Sequence, residues 1–216
     1  MWNPTTSLLV NGTWETIYMV GVAGIISIIG GVPLGVILLT TRKNSILQNK
    51  LTHWILASIV NIVRSIPFII LLVAIVPFTR LLVGTSIGTT AAMVPLALGA
   101  IPFVARIVES ALAEVSSGLI EAGLAMGATP LQIIIKILLP EAMPAMINGI
   151  TITLITLVGY SAMAGAVGGG GLGAVAINYG YQRYDVNIMI GTIIILIVLV
   201  YIIQWVGDWL SKRLVH

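Results

Sequence analysis

The feature that most constrains this chain is the length of its uncharged apolar runs. No Asp, Glu, Lys or Arg occurs in residues 16–41, 81–105 or 186–207, which are 26, 25 and 22 residues long. About 20 apolar residues in a helix are enough to cross the hydrocarbon core of a bilayer. Only 8% of the 216 residues are charged, whereas soluble domains contain about 25%. The sequence therefore predicts one polytopic, all-α membrane domain over residues 1–216.

Two less regular runs complete five predicted spans. Residues 142–182 carry no charge, but their second half is Gly-rich, so we expect one span followed by an outer loop or re-entrant segment. Arg64 interrupts the second run, and an arginine at the bilayer centre costs roughly 2.5–3.5 kcal/mol. Ser65 as an N-cap and Pro67 in the first turn predict a helix start that leaves Arg64 at the cytoplasmic interface; a snorkelling Arg64 without a role is equally open. The predicted spans are about 16–41, 54–79, 82–105, 148–167 and 186–207.

The basic residues predict the orientation of these spans. Eight of the ten Lys and Arg residues fall on one side of the predicted membrane, and Arg80 and Arg183 fall on the other. The positive-inside rule makes the larger group cytoplasmic. We therefore expect the N-terminus outside and the C-terminus in the cytoplasm. The start of the chain has no basic segment typical of a cleavable signal peptide. The longest polar connection, residues 116–141, is then cytoplasmic.

The first half of this connection is predicted to be a short helix. Ser117 is suited to cap it, and Glu121 then lies in the first turn, where the helix dipole favours a carboxylate. Gly127 is expected to end the helix in the left-handed conformation that glycine adopts at low cost.

The second half predicts another short helix. Thr129, Pro130 and Gln132 form the pattern of a capping box with proline in the first helical position, and we expect the helix to stop before Pro140. Six Ile and Leu residues lie between 133 and 139, which is too apolar for a free cytoplasmic surface. Either the membrane domain itself or a cytoplasmic partner covers them, and the residues alone leave both alternatives open.

The stretch EAGLAMGATPLQIIIKILLP, residues 121–140, resembles the EAA loop of bacterial ABC importer permeases. Gly123 stands where that family usually has a second alanine, which weakens the helix slightly. The resemblance implies a type I ABC importer permease fold and a coupling helix that inserts into a groove on an ATPase subunit. The residues that carry this implied coupling role are Glu121, Ala122, Gly123, Gly127, Ala128, Thr129, Pro130, Ile137, Leu139 and Pro140.

Two further segments extend the resemblance. NIVRSIPFIILL, residues 61–72, looks like the Arg-x-x-Pro signature of amino-acid permeases, and residues 153–173 are similar to permeases of methionine importers. The resemblance implies a permease subunit of the bacterial inner membrane that forms the path for L- and possibly D-methionine; another amino acid or small solute is the alternative. The implied partners are a second copy, two ABC ATPase subunits that use ATP and Mg, an extracytoplasmic methionine-binding protein and the lipid bilayer, with no nucleic acid.

Neither a catalytic site nor a cofactor or metal site is expected in this chain. No G-x-x-x-x-G-K-[ST] motif occurs, so ATP hydrolysis is assigned to the partner. Gly168-x-Gly170-x-x-Gly173 lacks the strand that a dinucleotide fingerprint requires. His53 and His216 have no neighbouring ligand pattern and are interpreted as interfacial. The chain has no cysteine, which excludes thiolate sites.

The positions of the acidic residues argue against an ion-coupled secondary transporter. Such proteins usually hold an Asp or Glu inside a span, whereas all seven acidic residues here are predicted at span ends or in loops. Two small-xxx-small patterns, Gly31-x-x-x-Gly35 and Gly165-x-x-x-Gly169, suit close helix contacts, although chance accounts for them equally well.

The fourth span is the candidate gate, because it follows directly from the coupling loop. Five helices do not readily enclose a path, so we expect a two-fold dimer with the path at its axis. In GYSAMAG, only Tyr160, Ser161 and Met163 carry side chains larger or more polar than alanine. A flexible apolar Met163 is suited to plug a path for a neutral amino acid, while Ser161 offers a hydroxyl to backbone or substrate. Simple packing of Met163 between helices is an equally open alternative.

Overall fold

All regular structure in residues 4–214, the part of the chain that the computed structural model describes, is helical. Two π-helical turns, Ile134–Leu138 and Ala176–Tyr181, follow the seventh and ninth helices. The α-helices are α1 (Pro4–Thr41), α2 (Lys50–Ser65), α3 (Phe68–Ala74), α4 (Val76–Val83), α5 (Thr89–Ala113), α6 (Ser117–Ala125), α7 (Pro130–Ile133), α8 (Leu139–Ala166), α9 (Gly171–Val175) and α10 (Val186–Leu214).

Four helical stretches of the described chain are long and apolar enough to cross a membrane. The α2–α3 pair meets the same criterion jointly but bends by 102° at its break, so the described residues provide four candidate spans, or five if this pair is one. The prediction of an all-helical membrane protein is confirmed. The four stretches are Thr5–Thr41, Thr89–Ala113, Pro130–Ala166 and Val186–Leu214.

The break between α2 and α3 differs from the helix start that the sequence predicts at Ser65. Ser65 is the last residue of α2, and its Oγ donates to the carbonyl oxygen of Asn61 at 2.8 Å, so the prediction of Ser65 as an N-cap is wrong. Ile66 is extended because the following Pro67 disfavours the helical conformation at the residue before it. Pro67 itself precedes α3, which begins at Phe68.

The helix expected from about residue 82 begins later, at Thr89. Gly84 ends α4 with φ of +81°, and Gly88 precedes α5 with φ of +100°. Both conformations favour glycine. These two glycines therefore set a turn between α4 and α5 where the apolar run alone indicated uninterrupted helix.

Close contact between α1 and α5 forms the centre of the bundle. A Cβ atom on Gly31 would lie 2.5 Å from the Cβ of Val104, and one on Gly35 would lie 2.5 Å from the carbonyl oxygen of Ala105. The interpretation of Gly31-x-x-x-Gly35 as a helix-contact pattern is confirmed, because only glycine allows the two backbones to approach this closely.

Two buried clusters complete the packing. Met19, Leu96 and Leu157 join α1, α5 and α8 in one of them. The other includes Ile133 and Leu138, which fix α7 and the following π turn to the second half of α5. By contrast, α10 exposes large apolar side chains such as Ile194 (55%) and Tyr201 (73%), as expected for a helix that faces lipid or another subunit.

A Gly35→Ala substitution should weaken the packing of α1 on α5. The new methyl group would lie 2.5 Å from a backbone oxygen of α5, and overpacking of this kind destabilises by roughly 1–3 kcal/mol. We expect the purified variant to unfold at a temperature several degrees lower in detergent. Gly21→Ala is the matched control, since a Cβ on Gly21 of the same helix meets no atom within 4 Å. Equal melting temperatures for the two variants would contradict this account of the α1–α5 contact.

Candidate functional site

The segment 116–141 forms a helix, a tight turn and a second helix, as its sequence predicts. Gly127 has φ of +80°, which confirms it as the left-handed residue after α6. Its N–H donates to the carbonyl oxygen of Leu124 at 2.9 Å, and the N–H of Ala128 donates to that of Gly123 at 3.0 Å. These bonds satisfy carbonyls at the end of α6 that have no partner within the helix.

The capping box at the start of the second helix is confirmed. The N–H of Gln132 donates to Thr129 Oγ1 at 3.4 Å, and the N–H of Thr129 donates to Gln132 Oε1 at 2.9 Å. Pro130 occupies the first helical position, where its missing N–H leaves no gap in the ladder. The turn is therefore fixed on both sides by local hydrogen bonds.

The start of α6 differs from the prediction by one residue. Ser116 occupies the N-cap position without a side-chain hydrogen bond, and Ser117 is already helical. Two adjacent serines are both capable of this position, and the end of α5 at Ala113 leaves room for the earlier one. Glu121 therefore lies beyond the first turn, where the helix dipole has little effect on it, and its side chain is exposed.

The second helix does not stop before Pro140, contrary to prediction. After α7 the chain makes a π turn in which the N–H of Leu139 donates to the carbonyl oxygen of Ile134, five residues back. This wider turn accommodates the proline ring, which otherwise clashes with the carbonyl four residues earlier. Helix α8 follows at once, so residues 130–166 form one continuous helical stretch.

The loop has one covered face and one uncovered face. Ile133 and Leu138 are 0% and 1% exposed because they pack against α5, so the membrane domain covers much of the apolar stretch itself. Leu124, Met126 and Leu131 flank the turn and are 49%, 87% and 64% exposed. We call these three residues the exposed loop surface. These three apolar side chains have no cover from the described part of the chain.

Gly123 has a structural reason for lacking the alanine side chain. It is buried, and a Cβ atom there would lie 2.7 Å from Cδ1 of Ile137 in the π turn. The missing methyl group lets α6 lie directly against the π turn. Ile137 and Leu139 are half-buried, whereas Ala122 and Pro140 are exposed.

The three candidate gate residues are in different environments. The Tyr160 ring stacks on Phe68 of α3 with centroids 4.3 Å apart. Ser161 is buried, and its Oγ donates to the carbonyl oxygen of Val158 at 2.7 Å, so its hydroxyl serves the backbone. Met163 is 48% exposed in the single chain. Of the three, Met163 is therefore the side chain most available to a second copy.

The Gly-rich segment packs directly on the part of α8 that carries Met163. A side chain at Gly173 would overlap the backbone of Ala162, and one at Gly165 would overlap the backbone of Gly173 and Ala174. A Cβ on Gly169 would lie 2.7 Å from the carbonyl oxygen of Ala164. Gly165 and Gly173 allow α9 to contact α8 closely, so the interpretation of the Gly165–Gly169 pattern as a helix contact is confirmed for Gly165, whereas Gly169 lies in the turn after α8.

Helix α1 holds the start of α9 through two side chains that the sequence analysis did not single out. The N–H of Gly171 donates to Glu15 Oε2 at 2.6 Å, and the N–H of Leu172 donates to Thr16 Oγ1 at 2.9 Å. We call this pair the Glu15–Thr16 clamp. The partners are 156 residues apart, so no local sequence signal could have indicated the contact.

The clamp gives Glu15 a structural role. Helix α1 begins at Pro4 and so extends beyond the predicted span 16–41, and the position of Glu15 at the end of that span remains a prediction. The Glu15 carboxylate accepts a bond from a backbone amide, which is a structural use of its charge. Glu109 is likewise inside α5, and Arg106 donates to its Oε2 at 2.5 Å. Asp208 lies inside α10 and accepts a bond from Gln204.

Arg64 is exposed and lies beside the second half of α5, and its position near the cytoplasmic headgroups remains a prediction. Its Cζ is 5.0 Å from the centroid of the Phe103 ring. Phe103 precedes the end of α5 by ten residues, which corresponds to about 15 Å along a helix. His53 Nδ1 lies 3.0 Å from the carbonyl oxygen of Leu38; His216 lies outside the described residues.

Comparisons with known proteins agree with this architecture. Residues 31–216 match a family model described as a binding-protein-dependent transport system inner membrane component. The chain is 61% identical to the "Probable D-methionine transport system permease protein MetI" of Vibrio cholerae, covering 98% of this chain and 94% of that one. It is 58% identical to the D-methionine transport system permease protein MetI of Escherichia coli K12 over 76% of each chain. A solved chain titled as an inward-facing conformation of the MetNI methionine ABC transporter matches it with a TM-score of 0.98, 54% identity and full coverage of both chains.

A Glu15→Ala substitution should loosen α9 from α1. Hydrogen bonds to charged groups contribute about 1.5–3 kcal/mol, so we expect a melting temperature several degrees lower in detergent. We also expect faster proteolysis between residues 168 and 182. Glu121→Ala removes a carboxylate from the exposed loop instead and serves as the control, with unchanged melting and unchanged cleavage of that segment. If Glu15→Ala behaves like Glu121→Ala in both measurements, the clamp does not hold α9.

Proposed function

Since the chain belongs to the family of binding-protein-dependent transport system inner membrane components, we propose that it is the membrane-spanning permease subunit of an ATP-driven importer for methionine. The observation that carries this proposal is the continuous helical stretch 130–166, which begins in the EAA-like loop and includes the gate candidate Met163. The names of the relatives support methionine, because their identity to this chain extends over most of its length.

Energy for transport comes from a partner in this proposal. The exposed loop surface, Leu124, Met126 and Leu131, gives a separate ATPase subunit an apolar contact beside the exposed carboxylate of Glu121. ATP and Mg act on that subunit. Two copies of the chain form the path between them, each with one ATPase subunit, and an extracytoplasmic methionine-binding protein delivers the substrate. The basic residues support a cytoplasmic loop, an outer N-terminus and a cytoplasmic C-terminus in the bacterial inner membrane.

Movement of the loop reaches the gate through covalently continuous helix. Ile133 and Leu138 are buried against α5, so a push on the turn moves α5 and α8 together instead of bending the loop alone. The π turn passes Pro140 without a break in the chain direction at which the motion would be lost. Met163 lies 33 residues beyond Pro130 on this stretch, about 50 Å along the helix.

Reconstituted transport tests this proposal, with Gly127→Val as the variant that removes coupling. Vesicles that contain the chain, its ATPase and the binding protein should accumulate labelled methionine only with ATP. Valine at φ of +80° is strained by about 1–2 kcal/mol, although the site has room for its Cβ. We expect the variant to retain about a fifth or less of the ATPase on copurification and to lose uptake in parallel.

Gly118→Val is the control for backbone strain. Gly118 lies inside α6 with ordinary space around a Cβ atom, so the same change in side chain should leave ATPase association intact. Normal uptake by Gly127→Val would refute docking through this turn. ATP-driven uptake of another solute, with none of methionine, would refute the substrate.

The gate is tested with Met163→Cys. If Met163 faces its copy across the two-fold axis, the two cysteines should form a crosslink between subunits when oxidised in the resting, outward-closed state. Substrate-loaded binding protein with ATP should reduce that crosslink as the path opens. The chain has no other cysteine, so the dimer band reports this site alone. An intact dimer without any crosslink would place the gate elsewhere on α8.

A further inference from the structure

An open cavity of about 510 Å³ lies between α5 and α8, beside the end of α2. Its volume is in the range of small-molecule sites. Its polar wall includes Arg64, Arg106, Ser110, Glu114 and Asn148, and its apolar wall includes Phe103. The cavity thus combines an aromatic surface with charged groups, which suits a small solute that is part apolar and part ionic.

A second, smaller cavity connects the first to the candidate gate. It measures about 100 Å³ and shares Phe103, Ile107 and Ile152 with the larger one. Its other walls are almost entirely apolar and reach Tyr160 on α8. The two cavities together follow one side of the α5–α8 pair from the gate segment to Glu114, the residue that follows α5.

The two arginines of the larger cavity differ in their partners: Arg106 is paired with an acidic side chain and Arg64 is not. Arg106 donates to Glu109 Oε2 at 2.5 Å and to Asn61 Oδ1 at 2.8 Å. Within residues 4–214, no acidic side chain forms an ion pair with Arg64, whose guanidinium lies over the Phe103 ring. Glu114 lines the same cavity but forms no ion pair with Arg64.

We propose that Arg64 binds the carboxylate of the transported amino acid in this cavity, while the apolar side chain of the amino acid occupies the smaller cavity between Phe103 and Tyr160. This inference rests on the proposed function and names a substrate contact within it. The Arg64 guanidinium is exposed in the open cavity and forms no ion pair within residues 4–214, so it is available to an incoming carboxylate. A thioether or another unbranched apolar side chain suits the aromatic walls, since sulfur packs favourably against aromatic rings.

The experiment measures the preference of the cavity for anions in the assembled transporter. Ile152→Cys places a single cysteine at a 60% exposed position shared by both cavities. Anionic and cationic methanethiosulfonate reagents are compared by mass spectrometry of the permease chain. With Arg64 present, the anionic reagent should react about fivefold faster, because a fixed charge concentrates counter-ions near it; with Arg64→Gln the preference should vanish. Methionine should slow labelling, whereas methioninol, which has an alcohol in place of the carboxylate, should not.

Transport gives the second measurement. Arg64→Gln should lower methionine uptake per ATP hydrolysed about tenfold, and Arg64→Lys should restore part of it. Arg80→Gln removes an exposed arginine of α4 and should leave uptake unchanged.

Three results would overturn the inference. The first is an anionic-reagent preference that Arg64→Gln leaves unchanged, and the second is equal protection by methionine and methioninol. The third is a parallel loss of uptake and assembly that Arg64→Lys does not restore. If Arg64→Gln fails to assemble, the comparison of methionine with methioninol on the Ile152→Cys chain still decides. Carboxylate-dependent protection without any methionine uptake would support the site and contradict the proposed function instead.

Discussion

The continuous helical stretch from Pro130 to Ala166 is the constraint on which the rest of this structure depends. At 37 residues it extends about 55 Å, so a single stiff element joins the loop to the membrane bundle. Backbone hydrogen bonds within each turn make this stretch stiff. Ile133 and Leu138, which are buried against α5, fix its position in the bundle. The turn before Pro130 is therefore joined covalently to α8 and held by packing to α5.

Close approach of backbones determines how the other helices assemble around this element. In lipid, apolar side chains gain little by leaving one apolar surface for another, so helix association depends on packing and on satisfied polar groups. Glycines provide the packing twice, where Gly31 and Gly35 bring α1 onto α5 and where Gly165 and Gly173 bring α9 onto α8. The Glu15–Thr16 clamp supplies the polar contact that connects these two pairs.

The sequence predicts structural features that depend on neighbouring residues, such as caps and turns, and misses contacts between residues far apart in the chain. Gly127 and the capping box at Thr129 are confirmed because their hydrogen bonds close within a few residues. The helix end before Pro140 is wrong because the π turn, rather than a break, accommodates the ring. The Glu15–Thr16 clamp is absent from the predictions because its partners meet only in the folded chain. Membership of the importer permease family is confirmed, since an EAA-like pattern spread over 20 residues is a specific signal.

The charged side chains inside the described helices are of two kinds: some are paired within the fold, and Arg64 has no charged partner. Glu15 accepts from a backbone amide, and Glu109 and Arg106 neutralise each other; removing one partner of such contacts leaves a poorly solvated group, so they hold the helices in place. Arg64 is exposed and has only the face of Phe103 as a partner, a contact that leaves all of its hydrogen-bond donors open. The Phe103 ring orients the Arg64 guanidinium without neutralising its charge. Arg64 is therefore suited to bind an anionic ligand transiently.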